Sequence, residues 1–438
     1  MKTHLRGIFM AAAGALFFAQ QAMSAGFEKV IMWSGEYAGV AGAATSNVTG
    51  AQSLYFNPAG LARGAQGKSG EISLNFSPTF AKYEGPIVSA GNISESKRSF
   101  SPIFGAVGSY RLSDDLGLGF GAFVSGGTKA IYENVDFGAA FPGLKPEVKS
   151  DLNVVEFSAG VGYELLPGLA LGLSWRAVMV SASLSSAAIA PVPGGATMLT
   201  AVQLNDLSKT KWNGFRLGAQ YLPESKLWGL GANWRTPVQF TAEGTGEAQA
   251  EIGGLGVTGR ADAAPVSATN TFPSQVTIGG FYDVAPDLLR FIAEFAWTEY
   301  SVNQRLEVSG SLPLAGFVGP FAALNGVSVT RSIDQNWSNQ INMRFGTEFR
   351  GVEDVVLRAG YAYTSKVTPE ANARATFSSP GAAYTLTVGA GTQFADAWDL
   401  DGAVEYSAAS GDVTTEQALT GEYSTHAYTA HVGVGFHF

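Results

Sequence analysis

The feature that most constrains this chain is a rhythm of links. Between about fourteen stretches of alternating character, very short connections alternate with long ones along the whole length. The stretches lie near 71–80, 101–111, 116–124, 153–165, 168–182, 210–223, 226–241, 272–284, 288–309, 339–350, 353–366, 383–395, 398–410 and 423–438. The tight links are Ser113-Asp114-Asp115, Leu166-Pro167, Glu224-Ser225, Ala285-Pro286-Asp287, Gly351-Val352 and Asp396-Ala397, with turn-forming side chains in most of them. A closed antiparallel barrel gives this rhythm, with hairpin turns at one rim and long loops at the other. An even strand count brings both ends of the wall to the short-turn rim.

The alternation is clearest in the last stretch. Tyr428, Ala430, Val432, Val434, Phe436 and Phe438 fall on one face, and Thr429, His431, Gly433, Gly435 and His437 on the other. Tyr384, Leu386, Val388 and Ala390 alternate with Thr385, Thr387, Gly389 and Gly391 in the same way. The greasy set is expected outside and the polar set inside. Ten residues at ~3.3 Å each, tilted near 45°, rise about 23 Å, which matches the ~25 Å apolar band of a membrane barrel.

Composition supports a lipid-facing wall. The chain is 46% hydrophobic with only 14% charged residues, well below the roughly 25% of a soluble domain. Yet after the leader no run reaches the ~18 apolar residues of a membrane helix. A periplasmic β-sandwich would need polar outer faces where Phe, Val and Tyr stand. The fold expected is therefore all-β, a transmembrane antiparallel barrel of about 14 strands with an N-terminal plug in its lumen.

Met1 to Ser24 has the pattern of a secretory signal: Lys2 and Arg6 precede an apolar run from Ile8 to Phe18, and Ala22-Met23-Ser24 offers small residues at the cleavage positions. The expected division is a signal peptide over 1–24, a hatch over 25–63 and a barrel over 64–438. Fourteen strands enclose a bore that side chains alone leave open. Ala25 to Arg63 is long enough to fill it, with small residues for close packing and Phe27, Ile31, Met32 and Trp33 as apolar surface.

The absence of cysteine excludes disulfides and thiolate chemistry. A net charge of -9 argues against nucleic acid. No His, Asp and Glu cluster shows metal-ligand spacing, and no cofactor is expected. A Ser-His lipid hydrolase is the enzyme alternative, but His431 and His437 fall on the inner face while such an enzyme works beside lipid, and no compact Ser motif accompanies them. The reading is therefore not an enzyme. A general porin would not need the plug.

Several motifs then resemble one family. Ala25-Gly26-Phe27, the run Gly35 to Gly42 and Asn57-Pro58-Ala59-Gly60-Leu61-Ala62 are similar to the N-terminal hatch of the FadL family of long-chain fatty acid and hydrocarbon transporters. Phe272-Pro273-Ser274-Gln275-Val276-Thr277-Ile278-Gly279 resembles its Pro-x-x-Val-x-Leu-Gly strand. Glu294-Phe295-Ala296-Trp297-Thr298-Glu299-Tyr300-Ser301 resembles its Glu-x-x-Trp-Thr-x-Trp-Ser stretch. Asn336-Trp337, Arg344-Phe345-Gly346 and Leu357-Arg358-Ala359-Gly360-Tyr361-Ala362-Tyr363 match its late strands in order. One departure stands out: where the family usually carries Arg before Ala, this run reads Gly35-Glu36-Tyr37-Ala38, so an ion pair from hatch to barrel by that Arg is missing or replaced.

The resemblance implies passive uptake across the outer membrane of a Gram-negative bacterium, with long loops extracellular and the N-terminus and short turns periplasmic. Cargo would be a long-chain fatty acid, with a monoaromatic hydrocarbon as the alternative. It implies loop capture, binding beside the hatch, and lateral release through a kinked third strand, here Leu116 to Gly127. Gly119 and Gly121 would soften that strand. Phe27 at the free end and Met198 and Leu199 in the loop Ser183 to Lys209 are the expected apolar contacts, with Glu243 to Thr271 as a second capture loop. Arg176 is the chosen partner for a carboxylate, with Arg216, Arg235, Arg344 and Arg358 as further candidates. Asn57, Pro58, Ala59 and Gly60 are the expected gating turn. The expected partners are hydrophobic small molecules, outer-membrane lipid and lipopolysaccharide. A monomer suffices for a sealed barrel.

Overall fold

The computed structural model describes residues 33–64, 67–192, 194–376 and 379–438. The stretch expected to be a signal peptide, 1–24, and the start of the expected hatch with Phe27, 25–32, lie outside the described residues. Nineteen strands form the wall and its extension: β1 (Gly70–Pro86), β2 (Ile93–Glu95), β3 (Ser99–Arg111), β4 (Leu116–Tyr132), β5 (Val148–Leu166), β6 (Leu169–Pro191), β7 (Thr197–Tyr221), β8 (Trp228–Arg235), β9 (Val238–Ile252), β10 (Val257–Phe272), β11 (Gln275–Ala285), β12 (Leu289–Thr298), β13 (Arg305–Gly310), β14 (Ile333–Asp334), β15 (Gln340–Val352), β16 (Val355–Thr364), β17 (Ala382–Phe394), β18 (Trp398–Val413) and β19 (Gly421–His437).

Fourteen of them close an antiparallel barrel in the order β1, β3, β4, β5, β6, β7, β8, β11, β12, β15, β16, β17, β18 and β19. The ring is sealed by β19 against β1, from Glu71 opposite His437 to Glu84 opposite Ser424. Closure leaves no edge to aggregate. The other five strands build an extension at the long-loop rim.

The period-two pattern sorts the faces as expected. Tyr428, Val432, Leu386 and Val388 point outward and are exposed, while Thr429, His431, Thr385 and Thr387 point into the bore and are buried. At the short rim several turns use left-handed residues, among them Gly168, Lys226, Asp287 and Asp354. Three of the four are Gly or Asp, types that take positive φ cheaply. The turn expected at Gly351-Val352 falls two residues later, at Glu353 and Asp354, because β15 continues through Val352.

Three other expectations are corrected. The stretch 226–241 is two strands, since Pro237 has no N–H to give a ladder and β8 ends at Arg235. The stretch 288–309 likewise ends at Thr298 and restarts as β13. The supposed loops Ser183 to Lys209 and Glu243 to Thr271 are long hairpins: β6 and β7 pair as far as Pro191 opposite Thr197, and β9 pairs with β10. β7 is long enough to serve twice, pairing with β8 near its end and with β9 over Met198 to Ser208. Apolar side chains inside this extension form a large core that includes Met198, Phe240, Ile252, Phe272 and Phe317.

Residues 33–63 lie inside the ring. They form two single-turn helices, Gly35–Ala38 and Ser53–Phe56, and two 3-10 turns, Gly50–Gln52 and Pro58–Ala62. Ser34 caps the first helix by accepting from the Tyr37 N–H at 2.8 Å. Segments this short are not stable alone. They hold their shape through the wall around them.

Candidate functional site

The wall is cut to the shape of this inner segment. A Cβ added to Gly218 would stand 1.9 Å from Asn57 Oδ1, one on Gly117 1.9 Å from the Leu61 carbonyl oxygen, and one on Gly172 2.1 Å from the Pro58 carbonyl carbon. Gly105 faces Trp33, Gly231 faces Thr45 and Gly360 faces Ala41 at similarly short range. Each sits on a different strand. Only hydrogen at these positions lets the inner segment approach the wall so closely.

Polar groups tie the segment to the wall. Glu294 accepts from the Ala44 and Thr45 N–H groups at 3.1 and 2.8 Å, and is held in turn by Arg344. Asn75 accepts from Gly35 N–H, and Glu71 from Ala51 N–H, each at 2.9 Å. Asn57 Nδ2 donates to the carbonyls of Thr45, Ala219 and Ala232 at 2.8, 3.0 and 3.3 Å, while its Oδ1 accepts from Ala59 N–H at 3.2 Å. Pro58 opens the 3-10 turn behind it, and Ala59 and Gly60 are buried. Arg63 donates to the Gly168 carbonyl at 2.7 Å and anchors the segment's end at the short rim.

The missing arginine of the Gly-rich run is replaced by a contact of opposite sense, with the acid on the inner segment and the base on the wall. Glu36, on the inner segment, lies 3.7 Å from Arg358 on β16, which also meets Glu348 and Asp401 at 3.3 and 2.6 Å.

An aromatic cluster joins the inner segment to β4. Trp33 stacks on Phe123 with centroids 5.4 Å apart, Tyr55 meets the same ring edge-on at 5.2 Å, and Phe56 packs on Tyr55 at 4.9 Å. Tyr55 and Phe56 are only partly buried, unlike their neighbours. Beside them stands a charged group with two arginines for one carboxylate. Arg176 and Arg216 bond Glu156 at 2.8 and 3.1 Å, and Arg235 acts electrostatically on the same carboxylate. The Arg216 guanidinium lies over the Tyr55 ring, 5.3 Å from its centroid, and donates to the Leu54 carbonyl at 2.9 Å.

The wall is weakened next to this cluster. β3 pairs with β4 only from Gly105 opposite Phe123 to Arg111 opposite Gly117. Beyond Phe123, β4 keeps its partner β5 but skips a residue between Val124 and Gly126. Such a bulge bends a strand and raises its twist. Ser99 to Phe104 of β3 therefore has no β4 partner until Lys97 N–H reaches the Ile131 carbonyl at 2.8 Å. Pro102, in the unpaired part, has no N–H to offer in any case.

Gly119 and Gly121 fall in the paired part of β4 instead. Gly119 makes room for Leu61, and Gly121 lies against Val107. Met198 and Leu199 are buried in the extension rather than exposed on a loop, as is Ile252; Leu255 is exposed at the tip of the β9–β10 hairpin. Arg344 and Arg358 serve the inner segment through Glu294 and Glu36. Sequence reasoning missed Tyr55, Phe56 and Phe123. The first two did give a signal, as adjacent aromatics just before Asn57.

Two open grooves of about 650 and 730 Å³ lie on the outer wall, lined mainly by outward side chains such as Tyr221, Ile278, Phe295 and Phe345. Both belong to the lipid-facing belt.

A closed barrel with an apolar exterior and a filled bore defines a membrane-spanning β-barrel of the plugged kind. The family of outer membrane protein transport proteins (OMPP1/FadL/TodX) matches residues 15–438, and the chain belongs to it. Its members are outer-membrane transporters of hydrophobic compounds. The putative outer membrane protein NMB0088 of Neisseria meningitidis serogroup B is 22% identical over 378 residues, 76% of this chain and 75% of that one. Among solved structures, the P. putida toluene transporter TodX superposes with a TM-score of 0.74 at 17% identity, covering 94% of this chain and 99% of the other. A Pseudomonas aeruginosa FadL homologue gives 0.71 at 15% identity, with the same coverage. Identities this low establish the shared fold.

Proposed function

We propose that this chain takes up long-chain fatty acids across the outer membrane by passive transport. The cargo enters at the long-strand rim, which faces outward from the cell, binds beside the plug, and leaves sideways between β3 and β4 above Phe123. The plug, residues 25–63, gates this path from the periplasmic side, with Asn57 to Gly60 as its ordering turn.

The observation that carries the reading is the pairing of Arg176 and Arg216 with the one carboxylate of Glu156, next to Tyr55, Phe56, Trp33 and Phe123. Buried charge is costly unless matched. An anionic head group supplies the second countercharge, and the aromatic surface receives its chain. Each buried CH₂ contributes about 0.8 kcal/mol, so a sixteen-carbon chain gains on the order of 10 kcal/mol. Capture is easy on these terms. Release is the harder step, which a movable plug and an unpaired stretch of wall both serve.

The aromatic cluster also fits a flat neutral ring, which keeps a monoaromatic hydrocarbon as the second reading. Competition decides between them: purified protein in detergent is loaded with a fluorescent fatty acid and challenged with oleate or toluene. Displacement by oleate at far lower concentration supports the first reading. Displacement by toluene alone overturns it.

A further inference from the structure

Three side chains in the bore carry an interaction that the cargo site does not use. His431 on β19 and Glu405 on β18 are buried, and Ser77 on β1 is completely so. His431 Nε2 lies 3.0 Å from Glu405 Oε2, and its Nδ1 lies 2.8 Å from Ser77 Oγ. Ser77 Oγ also donates to the backbone carbonyl of Trp33 at 3.2 Å. On the far side, Ser407 Oγ donates to Glu405 Oε1 at 2.8 Å. The series thus runs from the wall to the inner segment.

The Ser77 hydroxyl links the histidine to the inner segment. A serine hydroxyl has one hydrogen, and Ser77 gives it to Trp33. In that arrangement its contact with His431 is an acceptance from Nδ1. Glu405 at Nε2 orients the ring, as second partners of histidine commonly do. The β1–β19 ladder passes from Phe76 opposite Val432 to Thr79 opposite Thr429 and leaves out Ser77 and Pro78, while Ser77 stays in register with Ile103 of β3.

The far end of the series is the residue that stacks on Phe123, where β3 and β4 part. We propose that Glu405, His431 and Ser77 form a positioning relay that holds the Trp33 carbonyl, and so keeps the indole against Phe123 and the side passage shut. This rests on the transport reading given above. The three are positioning residues and need not touch cargo.

The absence of cysteine allows a clean test. In the full-length Ala38→Cys protein in liposomes, the rate of modification by a water-soluble thiol reagent reports exposure of the inner segment, since Ala38 is buried. Ser77→Ala is expected to raise that rate about five-fold, the size of effect that one hydrogen bond carries. Ser77→Thr keeps the hydroxyl and restores the parent rate. Glu405→Gln gives a similar rise, and its combination with Ser77→Ala adds nothing further, because both act through one contact.

A Ser77→Ala rate within two-fold of the parent overturns the proposal. So do effects of Ser77→Ala and Glu405→Gln that multiply. Folding is checked by heat-modifiable gel mobility; if Ser77→Ala does not fold, Glu405→Gln decides alone, and a parent-like rate there overturns the relay. Labelling needs no cargo, so its failure leaves the oleate competition untouched, and a toluene-only result leaves the labelling intact.

Discussion

Asn57 Oδ1 occupies the point where Gly218 would carry a side chain, 1.9 Å from an added Cβ. The turn of the inner segment and the wall of β7 are thus one fitted joint. In Gly218→Ala the new methyl meets the short Asn57 amide, the Pro58 ring at 2.8 Å and the Ala59 nitrogen at 3.1 Å, none of them the far end of a long flexible side chain. Overpacking of this kind costs about 1–3 kcal/mol. The barrel ladder does not depend on the site, so the expected outcome is a folded barrel with a displaced plug that leaks small solutes from liposomes. Gly402→Ala, whose added Cβ meets only the His431 carbonyl at 3.6 Å, keeps the parent's tightness. Equal leakage from both variants would count against the fitted joint.

Asn57 also ties three carbonyls together, one in the segment and two on the wall. Asn57→Ala removes this donor from all three, leaving Thr45 with Gln220 Nε2 at 3.2 Å, at a cost of about 1–3 kcal/mol. That loss falls on the plug alone. Hydrogen exchange of residues 44–62 is expected to quicken by about ten-fold or more, while β16 to β19 exchange as before. Uniform acceleration across the barrel would show instead that the plug and wall unfold as one unit.

Much of this architecture was legible in the sequence. A two-residue period and tight links such as Leu166-Pro167 located all fourteen wall strands, because a strand exposed to lipid on one face must alternate. The same period misled at the long rim, where β6, β7, β9 and β10 continue past the membrane as paired hairpins over apolar residues that resembled loops. It was also silent about which inner residues meet the plug. The period puts Phe123 on the inner face, opposite to Phe120, but does not say that Trp33 is the residue it meets there. The Glu36–Arg358 pair was invisible for a different reason: its partners are 322 positions apart and only closure of the barrel brings them together.

Arg176 tests the choice of cargo. Its removal as Arg176→Met takes one of the two arginines bonded to Glu156 and leaves Arg216 with the more distant Arg235, so the site loses part of its excess positive charge and of its hold on an anionic guest. Charge-assisted hydrogen bonds contribute about 1.5–3 kcal/mol. Oleate affinity, read by probe displacement in detergent, is expected to fall about ten-fold or more, with toluene binding unchanged. If both ligands weaken equally, the substitution has disturbed the pocket's shape and the charge argument fails.

Glu36 makes the plug sensitive to pH. Burial and then the neighbouring Asp401 push its carboxyl up to about 8 from an ordinary 4.5, with Arg358 opposing. About 30% of the side chain still reaches solvent, which screens part of that cost. A carboxyl whose value is raised in the closed state holds its proton more firmly there than in the open state. Closure is therefore favoured fully below about pH 4.5 and loses that contribution progressively as pH rises through 8. After correction for intrinsic exchange rates, the amides of residues 35–38 are expected to be less protected at pH 8.5 than at pH 5.5. Glu36→Gln cannot ionise and keeps its reach to Gln52 and Arg358, so it should flatten the profile. A slope that persists in Glu36→Gln assigns the pH response to another group.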